Sequence, residues 1–330
     1  MNTSPLPAPP APEASAAAQV LPTLDASARI PQGERALVLG GGGSTGNAWL
    51  IGVVAGLYDG GVDVTRADLT VGTSAGSTAA AQLAGAAPAD LLKATLGPVP
   101  LPPRQSSGAG PAGSGAPAQK GAGSVTDHME RTGRILDASR DMADMRRRMG
   151  AAALDLAAAM DGASKRWRAT VSGRLPQQQW PERAVLLTAV DAETGEPVVF
   201  DRHSGVDLVD AVAASCASGF AYSIGTKHYI DGGYRTNAEN ADLAAGYPRV
   251  LVLSPFGGRT RTPGEWGMDL RTQVSALQGN GSRVRTIVPE SDSEHMFGVN
   301  AMDLSLRPAA ARTGYEQGLS LADELGGFWG

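Results

Sequence analysis

Asp68-Leu-Thr-Val-Gly-Thr-Ser-Ala-Gly-Ser-Thr-Ala-Ala-Ala81 is the stretch whose reading decides the fold. A short apolar run, Leu69-Thr-Val71, ends at Gly72-Thr73-Ser74-Ala75-Gly76, and an alanine-rich run of helical composition follows. Gly-x-Ser-x-Gly between a strand and a helix is the pattern of a nucleophile elbow, a turn so sharp that side chains flanking the serine would collide. Glycine accordingly stands two residues before and two after Ser74. The serine is expected in a strained backbone conformation, with its hydroxyl raised above the sheet edge.

Upstream of the elbow, Arg35-Ala-Leu-Val-Leu39 reads as a short buried strand that breaks into Gly40-Gly-Gly-Gly-Ser-Thr-Gly46. From Asn47 to Tyr58, Trp49, Val53, Val54 and Leu57 recur at helical spacing, and Gly60-Gly61 ends the helix. Strand, glycine loop, helix, strand, elbow and helix make a parallel βαβ unit with a right-handed crossover. Residues 1–33 are dominated by Pro, Ala and Ser and are expected to form a disordered tail, because they bury too little apolar surface to offset ordering entropy.

Downstream, residues 104–124 have the Gly, Ser, Pro and Ala composition of a flexible linker. They lead into an insert at 125–183 that carries eleven Lys/Arg against eight Asp/Glu. Its helices are expected over Asp127–Met149, with Ile135, Met142, Met145 and Met149 near one face, and over Ala151–Val171. Such an insert reads either as a lid that meets anionic membrane surfaces or as a solvated helical pair packed over the core. The core is expected to resume with a hairpin, Ala184–Val190 and Pro197–Phe200 around Glu193-Thr-Gly-Glu196. After it come a helix at Val206–Ser215, a strand ending in Tyr229-Ile230 before Asp231-Gly232-Gly233, buried strands at Val250–Leu253 and Val284–Val288, and a closing helix at Ala309–Leu325. Residues 34–330 are thus expected to form one catalytic domain, interrupted by linker and insert.

The composition narrows the function. The 330 residues are 42% hydrophobic and 18% charged, with 43 glycines, which suits a globular α/β protein rich in tight loops. A net charge of -5 argues against nucleic acid as a partner, since phosphate neutralisation requires excess Lys and Arg. A single cysteine, Cys216, excludes an internal disulfide framework. No run reaches the roughly 18 apolar residues of a membrane span, and no apolar segment precedes Arg29, the first basic residue. A cytoplasmic protein is expected, with any membrane contact peripheral and through the basic insert. No cofactor or metal is expected.

A serine nucleophile needs a base and donors for the oxyanion. Gly41, Gly42 and Gly43 lie one βαβ unit before Ser74, so both loops emerge at the carboxyl edge of adjacent strands, where glycine N–H groups can form an oxyanion hole. The same loop fits a dinucleotide fingerprint, but that pattern wants an acidic residue at the end of the second strand, where Gly72-Thr73-Ser74 stands. Gly42-Gly43-Ser44-Thr45-Gly46 is itself Gly-x-Ser-x-Gly; Ser74, held between packed elements, is favoured over Ser44. For the base, His128, His203, His228 and His295 lie outside glycine-flanked strand ends, whereas Asp231 occupies one. A carboxylate serves as base only when partly buried, so that its pKa rises.

These three motifs in this order resemble the patatin-like phospholipase family of serine lipid acyl hydrolases, over approximately 34–97 and 184–325. The resemblance implies a three-layer α/β/α fold with a mainly parallel sheet and a Ser–Asp dyad without histidine. By motif match Ser74 is the nucleophile, Asp231 the base, and Gly41, Gly42 and Gly43 the oxyanion hole, with a lipid or other ester as substrate. Three departures stand out. Thr45 replaces the Arg or Lys often found there, Ala217–Ser223 lacks the prolines expected after Ala-Ser-x-Ala, and the long insert is no family hallmark. The competing expectations are a lipid-binding or membrane-docking protein of the same fold with little turnover, and a Ser–His–Asp hydrolase.

Overall fold

The computed structural model describes residues 30–97 and 125–330; nearly all of the expected tail, and the expected linker at 104–124, lie outside them. The strand β1 (Arg35–Leu39) pairs in parallel with β2 (Leu69–Gly72) on one side and β7 (Arg249–Leu253) on the other. Ala36, Leu37, Val38 and Leu39 are all buried, as a central strand covered on both faces must be. Around this centre the described residues form one eight-stranded sheet in the order β5–β6–β3–β2–β1–β7–β8, with β4 against β3. Here β3 is Ala184–Asp191, β4 Pro197–Phe200, β5 Tyr222–Ile224, β6 Lys227–Asp231 and β8 Arg283–Ile287. β1, β2, β3, β7 and β8 run parallel; β4, β5 and β6 are antiparallel to their partners.

Alternation along the strands divides the core. Leu37, Leu39, Leu251 and Leu253 pack with α1 (Gly43–Asp59), α2 (Ala75–Gly85), α7 (Leu208–Ser215) and α9 (Arg307–Trp329). Ala36, Val38, Val250 and Val252 pack with residues 241–247 and α8 (Leu270–Gly279). This is a three-layer α/β/α arrangement around a mostly parallel sheet. α1 and α9 pack with almost no side chain between them. A methyl group on Gly56 would lie 2.1 Å from the Tyr315 carbonyl oxygen, and one on Gly318 would lie 2.2 Å from that of Val53.

The strand pairings bring β6 to the elbow. β2 and β4 both pair with Leu187, so they flank β3 on opposite sides; β4 and β6 both pair with Ala189, so they too are opposed. β6 therefore lies on the β2 side of β3 and takes over where β2 ends. Gly72 is opposite Leu187 and Asp231 opposite Ala189, two residues farther along the same strand.

Several expectations need correction. The glycine run does not remain a loop up to Gly46, because α1 already begins at Gly43. The insert breaks into α4 (Val125–Asp137), α5 (Met142–Ala158) and α6 (Ala163–Ser172), with its first break before Asp141 and none at Gly150. Asp141 caps α5 by accepting from the Asp144 N–H at 2.7 Å, and Gly150 allows α5 to touch the Ala192 backbone. α5 buries Met142, Met145 and Met149 against Val190 and Ile230, so this part of the insert packs on the sheet. β8 is not a buried strand: Arg283, Arg285 and Thr286 are exposed at the sheet edge, where charged side chains discourage further pairing. α3 (Pro88–Leu96), α8 and β5 were not expected.

The Gly56→Ala variant should destabilise the fold by about 1–3 kcal/mol, because the added methyl forces α1 and α9 apart. Gly264→Ala, where the added methyl meets open space, should change stability by less than about 0.5 kcal/mol. Urea unfolding followed by circular dichroism measures both.

Candidate active site

Ser74 joins β2 to α2 with φ 52° and ψ −114°. It and Asn240 (φ 55°) are the two non-glycine residues with positive φ among the described residues. Such conformations cost roughly 1–3 kcal/mol and persist only where the surroundings enforce them. The two elbow glycines allow that turn. A methyl group on Gly76 would lie 1.8 Å from the Leu39 carbonyl oxygen, and one on Gly72 would lie 2.7 Å from Ser77 Cα. The backbone of Ser74 is then fixed from α7 and α2. Its N–H donates to Ser215 Oγ at 3.0 Å, and its carbonyl accepts from Cys216 Sγ at 3.1 Å and Ser77 Oγ at 2.6 Å. Burial pushes the Cys216 thiol up to about 11, so it stays a neutral donor.

With its backbone fixed, the Ser74 side chain meets Asp231. Ser74 Oγ donates to Asp231 Oδ2 at 2.8 Å, and Asp231 Oδ1 accepts from the Gly233 N–H at 2.8 Å. Asp231 is 6% exposed, and desolvation raises its carboxyl pKa to about 6 against the lowering effect of those two hydrogen bonds. Asn240 ties the two turns together. Its Nδ2 donates to Thr73 Oγ1 at 2.9 Å, to the Gly232 carbonyl at 3.0 Å and to the Asn237 carbonyl at 3.1 Å. Thr73 Oγ1 is in turn 2.9 Å from Thr188 Oγ1 on β3.

The glycine loop lies against the elbow: a methyl group on Gly41 would approach Ser74 Cβ to 3.5 Å. The three glycines are not equivalent as donors. Gly41 N–H already donates to the Ala238 carbonyl at 2.7 Å, which corrects the expectation that all three are available. Gly42 and Gly43 N–H make no hydrogen bond among the described residues, and they stand at the positive end of α1. Gly43 has φ 63° and touches Ala301, so only glycine fits there. Beneath the loop, Glu239 is buried with Ser254 Oγ donating to its Oε1 at 2.6 Å, and desolvation raises its pKa to about 7.

Thr45 turns inward, its N–H donating to the Ala301 carbonyl at 3.0 Å. A guanidinium reaches the same turn from α9. Arg307 donates to the Ser44 carbonyl at 2.7 Å, to Ser44 Oγ at 3.1 Å and to Asn47 Oδ1 at 3.2 Å, without an ion pair among the described residues. Ser44 thus contacts a cation and no base. None of the histidines contacts Ser74 or Asp231: His228 meets Glu193, His295 the Asp292 carbonyl, and His128 Arg131, while His203 lies in the Asp201 turn. No cluster able to hold a metal ion occurs among the described residues.

The family model described as Patatin-like phospholipase matches residues 37–244, and the chain belongs to that family. Family membership supports, in general terms, a hydrolase acting on lipid acyl esters. None of the curated proteins compared with the chain matches it. Among solved structures the chain is similar to VipD from Legionella pneumophila, with 13% identity over 89% of this chain and 67% of that one and a TM-score of 0.39.

Sequence reasoning missed Ser215, Cys216, Asn240 and Arg307 at this site. The small-residue run Ala213–Gly219 was the only local sign of the first two. Burial of Asp231 and Glu239 has a measurable consequence. Folding raises both pKa values, from 3.8 to about 6 and from 4.5 to about 7, so the folded state binds more protons across that window. Their contribution is therefore most favourable below pH ~4 and is lost as pH rises through about 6 and 7. Asp231→Asn should flatten this decline, raising stability relative to the parent at pH ~8 by up to about 3 kcal/mol more than at pH ~4. Thermal melts across that pH range measure it.

Proposed function

We propose that the protein is a serine hydrolase that cleaves carboxylic esters of lipid acyl chains through an acyl-enzyme on Ser74, with Asp231 as general base. The observation that carries this reading is the 2.8 Å hydrogen bond from Ser74 Oγ to a desolvated carboxylate that no histidine or cation neutralises. Residues 34–330 act as one catalytic domain, of which the 125–183 insert is a packed part.

In the first half-reaction Ser74 Oγ attacks the acyl carbonyl carbon while Asp231 Oδ2 takes the hydroxyl proton. The carbonyl oxygen gains the electron pair and is met by the Gly42 and Gly43 N–H groups at the positive end of α1. Collapse of the tetrahedral intermediate breaks the ester C–O bond, and the leaving alkoxide takes the proton from Asp231. Water then attacks the acyl-serine, again giving its proton to Asp231; collapse breaks the acyl C–Oγ bond, and Ser74 Oγ takes the proton from Asp231 as the acid departs. A carboxylate with a pKa of about 6 is roughly a hundredfold stronger base than one at the ordinary value, yet it is still ionised at neutral pH. The Arg307 guanidinium on Ser44 places positive charge near the turn where Thr45 supplies none.

Hydrolysis of p-nitrophenyl acyl esters tests the reading. Ser74→Ala and Asp231→Asn should each lower kcat by on the order of 10⁴-fold, and replacing each histidine in turn should leave the rate within about threefold. Because Asp231 must be ionised to act, kcat/KM should fall as pH drops through about 6. A profile governed by a histidine, or lipid binding without turnover, would instead support one of the competing functions.

A further inference from the structure

The turn that closes over the glycine loop is unusual in what it exposes. Val299 is 72% exposed, Met302 58% and Leu304 46%, three large apolar side chains within six residues. Single exposed apolar residues are ordinary, but a cluster marks a surface built to leave water. Poor anchoring does not account for the exposure. The turn is a chain of 3-10 turns at Gly298–Asn300 and Leu304–Leu306, and its inner side is packed through Met296, Phe297 and Ala301, all buried. The Phe297 ring meets Trp49 of α1 edge-on at 6.3 Å, and the Ala301 carbonyl accepts from Thr45 N–H at 3.0 Å. The apolar tip is thus carried on a firm base bonded to the first turn of α1 at Thr45 and touching the candidate oxyanion donor Gly43.

Charge distinguishes this surface from the basic insert. Residues 298–306 contain one ionisable side chain, Asp303, whose carboxylate is occupied in capping Ser305 at 2.9 Å. The arginines of the insert are largely engaged within the molecule. Arg146 donates to the Gly195 and Arg235 carbonyls, Arg148 pairs with Asp144, and Arg168 pairs with Asp210.

We propose that residues 298–304 form a lipid-docking surface, which places Val299, Met302 and Leu304 in the interfacial layer of an uncharged or zwitterionic lipid aggregate and so brings the ester to the glycine loop. The proposal rests on the hydrolase reading for the identity of the occupant. Its chemistry is that of a shallow apolar anchor, with weak and reversible binding that salt does not screen.

Cosedimentation with phosphatidylcholine vesicles, with and without phosphatidylglycerol and at low and high salt, tests it. The full chain should bind phosphatidylcholine vesicles with little effect of salt, and the double variant Val299→Asp, Met302→Asp should partition about tenfold less. That variant should also lose hydrolysis of vesicle lipid to a greater extent than hydrolysis of a short soluble ester. Leu319→Asp, at an exposed apolar residue toward the other end of α9, should match the parent in both. Ser74→Ala should bind vesicles as the parent does but not hydrolyse their lipid, whereas binding without hydrolysis by the parent itself would overturn the hydrolase reading and leave the docking surface standing. Unchanged binding by the double variant would overturn the docking proposal. So would binding confined to phosphatidylglycerol vesicles and abolished by salt, which would move the contact to the insert arginines. A dimer that the double variant dissolves, without vesicle binding, would assign the surface to a second copy of the chain.

Discussion

The left-handed backbone of Ser74 is the constraint around which this molecule is arranged. A β-carbon in that conformation is disfavoured by roughly 1–3 kcal/mol, so the turn must be held from outside. Ser215 and Cys216, at the end of α7, bond the peptide groups on either side of Ser74, and Ser77 adds a third bond from α2. Gly76 presses on the carbonyl of Leu39, which fixes the elbow to the end of β1. β1, β2, α2 and α7 are thereby locked in one geometry, and the glycine loop that follows β1 is set against Ser74.

A second constraint concerns charge. Asp231 lies in line with the end of β2 because β6 pairs with the stretch of β3 that β2 leaves free. No cation neutralises it there, and desolvation outweighs the Gly233 and Ser74 hydrogen bonds to lift its pKa to about 6. Two buried carboxylates, Asp231 and Glu239, lie beneath one site, which is costly to stability and is where chemistry is expected. The Asn240 amide, itself on a left-handed residue, spans Thr73, Gly232 and Asn237 and keeps the turns that carry Ser74 and Asp231 in register.

Much of this was legible in the sequence where the cause is local. β1, β2 and the β3–β4 hairpin are apolar runs that stop at glycine or a turn, and the elbow is a steric pattern within five residues. What was not legible is non-local. The residue that occupies the Gly41 N–H is Ala238, almost two hundred positions away, so the sequence could not separate Gly41 from Gly42 and Gly43. A charge missing at Thr45 was visible, but the guanidinium of Arg307 on the same turn was not. In the insert, Gly150 looked like a break; it is instead a point of close contact with Ala192, and the cap at Asp141 marks the true boundary. β5, with three residues, is too short to announce itself, and β8 carries the valine and isoleucine of a buried strand while its arginines mark the sheet edge.

The central claim is that one serine, Ser74, is activated by a carboxylate without histidine. Peptide mapping by mass spectrometry after reaction with a fluorophosphonate ester tests it most directly. A single adduct is expected on the peptide that contains Ser74, unchanged in Ser44→Ala and in a variant lacking all four histidines, and absent in Ser74→Ala. An adduct on Ser44, or labelling that persists in Ser74→Ala, would contradict it.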